Sequence, residues 1–523
     1  MSLNPLRARC RAARRRGLAM LALCAGVLGG CSLPPLENRP ASSALAPEQA
    51  RATALGRAIA PMADAHPGRS GIHPLDDAHD AFAARALLAR AAQKTLDVQY
   101  YIWRDDMTGT LLLEALFDAA ERGVRVRLLL DDNGTAGLDA VLAALDLHPN
   151  IEVRLFNPFV LRQPKMLGYL TDFARLNRRM HNKSFTADSS ATIIGGRNVG
   201  DEYFGATDGV LFADLDVLAV GDVVRDVSAD FDRYWASDSA YPVASVVRRP
   251  DAAQLEALHR SASRVESDPA ARAYVRALGE LPFIRQLLAQ QLPMEWAPTR
   301  MVSDDPAKAL GRTGDGATLA QQLQAAIGQP GRHLELVSPY FVPTAAGTEA
   351  FAQMVRRGVK VRVLTNAFEA TDVAVVHSGY AKWRKPLLRA GVELYEMRSQ
   401  SGERAPGLGP FGSSGSSLHA KTFAVDGQRV FVGSFNFDPR SLELNTELGF
   451  VIDSPALAAR VEAVFDRQLS SLAYQVRLAA DDRLYWLAQD ADGQRRYDTE
   501  PGTRWWQRAL MWLLSLLPID WLL

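Results

Sequence analysis

A two-domain α/β fold, made of two copies of one unit around one shared site, is what this 523-residue sequence predicts. Three observations carry that expectation. One octapeptide pattern occurs twice, 238 residues apart: His181-Asn182-Lys183-Ser184-Phe185-Thr186-Ala187-Asp188 and His419-Ala420-Lys421-Thr422-Phe423-Ala424-Val425-Asp426. The same succession of apolar, strand-like segments surrounds each copy. Those segments alternate with helical patterns, so each copy is expected to be a mixed, largely parallel sheet flanked by helices.

In the first copy, residues 82–92 have helical periodicity and 95–103 read as a buried strand. Thr108 is placed to cap a helix over 111–120 that Gly123 closes. Strands are expected at 124–130 and 151–156, before the His181 stretch, and at 191–198 after it. In the second copy, 334–341 matches the first strand, 356–364 matches 121–129, 392–395 matches the 151–156 strand, and 430–436 follows the His419 stretch. From Gly123 to His181 is 58 residues, and from Gly358 to His419 is 61. A period this long means a duplicated domain, not a solenoid. The expected organisation is a leader (1–30), a lipidated cysteine with a tether (31–78), domain 1 (79–240), a helical connection (241–330), domain 2 (331–475) and a C-terminal tail (476–523).

Lys+Arg and Asp+Glu both number 59. Six of the arginines lie in the first thirty residues, which hold no acid. Without that segment, 53 bases face 59 acids, a net charge of −6. An acidic body argues against nucleic-acid binding driven by phosphate neutralisation. The three cysteines are Cys10, Cys24 and Cys31, so the folded body has neither a disulfide framework nor a cysteine zinc site.

Residues 1–16 are arginine-rich, and 18–28 are apolar but too short to span a membrane, which is a secretory pattern. The segment ends in Leu28-Gly29-Gly30-Cys31, which resembles a bacterial lipobox. By that resemblance Cys31 becomes the acylated first residue of the mature chain. Ser32 follows, where lipoproteins of the inner membrane often carry Asp, so the expected location is the outer membrane, facing the periplasm. Residues 32–50 are rich in Pro, Ala and Ser and read as a tether.

Side chains two apart on a strand face the same way, so each octapeptide sets an imidazole beside an ammonium. That pair suits a phosphate. The lysine neutralises oxygen charge, and the histidine attacks phosphorus or moves a proton. The H-x-K-x4-D pattern resembles the signature of the phospholipase D superfamily, over residues 80–475. Within it the chain is similar to bacterial cardiolipin synthases of the C type, through Tyr340-Phe341-Val342-Pro343, Gly195-Gly196-Arg197-Asn198 and the Leu-Pro-Ile-Asp-Trp-Leu-Leu terminus.

The resemblance implies two domains that share one cleft. One histidine forms a phosphohistidine, and the other protonates the leaving oxygen and later deprotonates the acceptor. His181 takes the nucleophile's role by the resemblance, and His419 the acid–base role. Lys183 and Lys421 hold the non-bridging oxygens. Asn198 and Asn436, seventeen residues after each histidine, are amide partners. Each histidine also needs an acid on its other ring nitrogen. Glu447 fits the second copy, 28 residues after His419. Asp214 fits the first, with Asp216 as rival. Asp188 and Asp426 are expected to make structural bonds. The scheme uses no metal and no cofactor.

Tyr340 and His377 fall at strand ends where a parallel sheet binds ligands, and are candidates for headgroup contact. The Gly407–Ser417 stretch reads as a loop before His419 that would serve as a lid. The apolar run 509–517 with its flanking tryptophans would either lie in a membrane interface or dock on the core. The leading expectation is a membrane-tethered phosphatidyltransferase making cardiolipin, with phosphatidylglycerol, and phosphatidylethanolamine as a further candidate, for substrates. The alternatives are a hydrolase, either a phospholipase D or a nuclease, with water as acceptor, and a non-catalytic envelope scaffold. A monomer suffices for the site.

Overall fold

The computed structural model describes residues 32–37, 39–207, 211–288, 291–312, 316–371, 373–399, 417–490, 493–517 and 520–522. The leader, Cys31 and residues 407–416 of the expected lid lie outside the described residues.

Two sheets are built on one plan. The first runs, edge to edge, Glu295–Ala297, Ser70–Leu75, Asp216–Gly221, Ala191–Gly195, Ser184–Ala187, Thr95–Ile102, Arg125–Gly134, Ile151–Phe156, Ala240–Pro242. The second runs Thr299–Ser303, Leu448–Ile452, Arg429–Gly433, Thr422–Val425, His333–Val337, Lys360–Asn366, Glu393–Met397, Ala473–Leu478, then a hairpin of Leu484–Asp490 and Gly493–Tyr497. From Ser70–Leu75 onward, the first eight positions of each order correspond. The sheets are mixed, but parallel pairing is confined to the central three strands of each, the ones joined by helical crossovers. The octapeptide strands instead join by tight hairpins, whose turns put Asp188 (φ 51°) and Asp426 (φ 55°) in the left-handed region. The "largely parallel" expectation is corrected accordingly.

In the first domain, Leu96, Val98 and Tyr100 pack under the helices Ala78–Ala91 and Met107–Glu121. The opposite face buries Arg127 on Asp97 (2.7 Å) beneath Phe231 of the helix Val223–Ala236. A second cluster crosses between domains. It joins Ile194, Leu215 and Val217 to Ala420, Val432 and Leu448. Each Ile, Leu or Val among them contributes about 1.5–3 kcal/mol when taken from water, so the two domains fold against one common core.

Two expectations are revised here. The connection is not wholly helical. After the helices Ala252–Ser267, Pro269–Gly279 and Pro282–Leu288, the chain forms Glu295–Ala297 on the first sheet and Thr299–Ser303 on the second. Pro298 marks where it changes sheet. Nor is the whole 32–50 stretch a free tether. Residues 39–45 are bound as a strap: Arg154 and Arg127 donate to the carbonyls of Pro40 (2.7 Å) and Ser42 (3.0 Å), and Ala44 N donates to Asp232. Buried guanidiniums need acceptors, and the strap's backbone supplies them.

Candidate active site

His181 and Lys183 lie just before the strand Ser184–Ala187, and His419 and Lys421 just before Thr422–Val425. Each histidine is clamped across the domain boundary. His181 N donates to Thr446 O (2.9 Å) and His419 N to Ala213 O (2.8 Å). The short strands Phe212–Ala213 and Ser417–Leu418 pair in parallel beside the second clamp.

Position along the chain assigns Asp214 to the His181 copy and Glu447 to the His419 copy. The structure crosses them. His181 Nδ1 donates to Glu447 (2.9 and 3.1 Å), and His419 Nδ1 donates to Asp214 (2.5 Å). Asp216 is taken up elsewhere, by Arg85 (2.8 Å) and Arg197 (3.5 Å) in a buried ion cluster. Lys183 Nζ donates to His181 O, and Lys421 Nζ to His419 O. Lys421 Nζ also stands 3.2 Å from His419 Nε2. All four are buried.

The charges of the two halves differ. Burial, reinforced by Lys183, Lys421 and His419, holds the His181 imidazole well below its usual value, so it is neutral at physiological pH. Burial pushes the Glu447 carboxyl up to about 7, against the pull of Lys183, Ser434 and Ser441. Burial also acts on Asp214, but His419, with Lys421 and Arg197, outweighs it and holds that carboxyl at about 2. Burial lowers the Lys183 ammonium well below its usual value. A phosphate arriving there would favour its charged form.

The close approach at the acids explains the small residues. A Cβ on Gly196 would stand 2.1 Å from Asp214 Oδ1, so no side chain fits. The equivalent residue in the second copy is Ser434, whose hydroxyl donates to the longer Glu447, as does Ser441 (2.9 Å). Asn198 accepts from Ile102 N (3.1 Å) and donates to Tyr203 (3.0 Å). Asn436 is buried, and its Oδ1 has no hydrogen-bond partner. Asp188 accepts from the backbone of Gln93, Lys94 and Thr95, and Asp426 from that of Gly331, Arg332 and His333.

Aromatic walls surround the histidines. Tyr101 packs edge-on to His181 (5.1 Å), and Tyr203 and Phe212 pack on His419 (5.2 and 5.0 Å). Sequence reasoning missed these three and the two serines. The spacing offered one signal: Tyr203 follows Asn198 by five residues, as Ser441 follows Asn436. Tyr340 is half-buried against Val342 and Val376. The headgroup expectation for His377 meets a different placement. His377 is 3% exposed, its Nε2 is 2.7 Å from Glu500, and Arg384 joins both, so it fastens the C-terminal segment. Among the described residues no group of three or more His, Cys, Asp or Glu is arranged to hold a metal. No helix among them is long and apolar enough to cross a membrane.

A family described as "Cardiolipin synthase, PLD-like domain" matches residues 86–235 and 323–469, which contain both octapeptides and both acids. The chain belongs to this family, within the phospholipase D superfamily. It is 51% identical to cardiolipin synthase C of Escherichia coli (strain K12) over 471 residues, 90% of this chain and 99% of that protein. It is 32% identical to an uncharacterized protein of Helicobacter pylori (strain ATCC 700392 / 26695), over 89% of this chain and 92% of that one. The crystal structure of phosphatidylserine synthase from Haemophilus influenzae Rd KW20 superposes with a TM-score of 0.56 at 14% identity. The match covers 90% of this chain and 100% of that one, and supports the fold.

Proposed function

We propose that the protein is a phosphatidyltransferase that makes cardiolipin through a phosphohistidine. The observation that carries this is the crossed pair of histidine–carboxylate contacts, with two buried lysines whose charges both act on His181. The high identity to a cardiolipin synthase supports the substrate class.

In the proposed cycle His181 Nε2 attacks the phosphorus of a phosphatidyl donor such as phosphatidylglycerol. The P–O bond to the headgroup breaks, and His419 gives its proton to the departing oxygen. His419 then takes the proton of a phosphatidylglycerol hydroxyl, which attacks phosphorus and releases His181. Lys183 and Lys421 hold the non-bridging oxygens as charge builds. The charges favour this division of roles. A nucleophile must be neutral, as His181 is. An acid must begin protonated, and the ionised Asp214 supports an imidazolium on His419. The walls of Tyr203 and Phe212 around His419 favour a lipid alcohol over water as acceptor.

Acylation of Cys31 would tether the protein in the cell envelope, facing the periplasm from the outer membrane. Lipid analysis of cells that express the protein tests the reading. Cardiolipin should rise with the wild type and not with His181→Asn. Phosphatidic acid in its place would mean water is the acceptor, and no change in either would leave a scaffold.

A further inference from the structure

Residues 161–167 fold inside out. Arg162 and Lys165 turn inward onto the buried Asp132 (2.5 and 2.9 Å) and onto Asp139. Leu161, Met166 and Leu167 turn outward, Met166 with 70% of its surface bare. Soluble surfaces usually do the reverse. The next helix, Gly168–Leu176, continues the apolar face with Leu170 (82% exposed) and Phe173. The ion pairs fix this face in place.

The face adjoins the site. Tyr169 donates to Asn133 Oδ1 (3.2 Å), Asn133 donates to the Tyr101 hydroxyl (3.3 Å), and Tyr101 lies on His181. Two other segments approach it through hydrogen bonds. Arg440 donates to Asn177, just past the helix, and to Leu522 O (3.0 Å), which brings the C-terminal turn to the same rim. The helix Trp505–Ser515 that leads into that turn buries Met511 and leaves Trp505 and Trp512 bare. The N-terminal strap begins here too. Arg39 donates to the carbonyls of Ser237 and Ala240 (2.5 and 3.0 Å), Asn157 N donates to Ser239 O between them, and Arg175 donates to Asn157. Cys31 is eight residues before Arg39, a reach of at most about 28 Å.

We propose that this face is the surface on which the protein lies in a lipid bilayer, its leucines and tryptophans in the interfacial layer and the cleft opening onto the headgroups. The proposal rests on the reading above that the substrate is a phospholipid. A bilayer is the occupant that accounts for all three elements at once. It fits an apolar patch beside the histidine site, a C-terminal helix with bare tryptophans that leads to the patch's rim, and the exit of a chain that carries an acylation motif.

The three native cysteines all precede residue 32, so Leu170→Cys gives the full-length protein one thiol in its body. An environment-sensitive fluorophore there should shift to the blue on vesicles of phosphatidylglycerol and phosphatidylcholine, and be quenched by brominated acyl chains. The same label at Arg225, eleven residues before Ala236 and about 16 Å along that helix, should not respond. Absence of quenching at 170 would overturn the proposal, as would shielding of the label in a dimer without vesicles. Leu170→Glu with Met166→Glu should lower turnover on vesicles by about tenfold or more, because two apolar anchors are lost. Turnover of a short-chain, monomeric phosphodiester should stay within about twofold, as neither residue enters the site. Equal loss on both substrates would overturn the docking. Quenching at 170 with no lipid product from the wild type would sink the functional reading and leave the docking standing.

Discussion

The two halves of the site descend from one pattern, yet each holds its acid differently. In the first, the short Asp214 sits against the bare backbone of Gly196, ionised, and serves the second half's histidine. In the second, the longer Glu447 is cradled by two serine hydroxyls, changes charge near neutrality, and serves the first half's histidine. The surroundings of the two acids thus set them apart: His419, Lys421 and Arg197 keep Asp214 ionised, whereas burial brings Glu447 to the edge of protonation at neutral pH. Duplication supplied two similar frames, and small substitutions gave each acid its own surroundings, as the proposed division between attack and proton transfer requires.

The largest test of this contrast is to remove each histidine. His181→Asn and His419→Asn should each cost at least about 10³-fold in turnover, because the two act as a unit. Trapping separates them. Acid-labile phosphate should accumulate on His181 in His419→Asn given a substrate with a good leaving group. Phosphate found on His419 instead would reverse the roles.

The acids come next. As pH falls through about 7, Glu447 takes up a proton and stops accepting the Nδ1 proton of His181. Turnover should therefore fall on the acid side with a midpoint near 7. Glu447→Gln should abolish that limb and leave a rate about 10²-fold lower. Asp214, held at about 2, should add no limb above pH 3. An acid limb that survives in Glu447→Gln would assign it elsewhere.

The serine cradle gives a finer effect. Ser434→Gly makes the second half resemble the first and removes a donor to the Glu447 carboxylate. The acid midpoint should move upward, with about tenfold loss at pH 8, the lower end of the worth of one hydrogen bond to a charged group. A downward shift would mean the hydroxyl does not favour the ionised form.

The smallest contrast concerns stability. Asp188 is buried and Asp426 half-exposed, although both accept from three backbone N–H groups. Asp188→Ala should cost about 2–3 kcal/mol and Asp426→Ala about 1, since water can reach the second turn. Calorimetry of the two variants measures the difference, and equal losses would remove the burial argument.

The repeat was legible because it is written in residue types at fixed spacing. His181, Lys183, Asn198 and their second-copy counterparts can be counted off, and so can the two acids. Which acid meets which histidine was not legible. Counting pairs residues within a copy, whereas the contact runs 266 residues for His181–Glu447 and 205 for His419–Asp214, across a boundary formed only by packing. The strap was hidden for another reason: Pro40 and Ser42 bind through backbone carbonyls, which every residue has. The inverted 161–167 segment escaped because its pattern has neither helical nor strand period, and only the buried partners of Arg162 and Lys165 give it a direction.

The crossed wiring also sets a rule of timing. A ribosome that has released the first 400 residues has made His181 but neither its acid nor the second histidine. Such a half-chain holds His181 without the carboxylate that binds its Nδ1, until Glu447 emerges and the second sheet closes on the first. A break anywhere in the connection between the sheets would leave two fragments, each with a histidine and the other's acid. Neither would react alone, and mixing them would restore the chemistry only as far as they dock. The site therefore reports on completion of the whole chain.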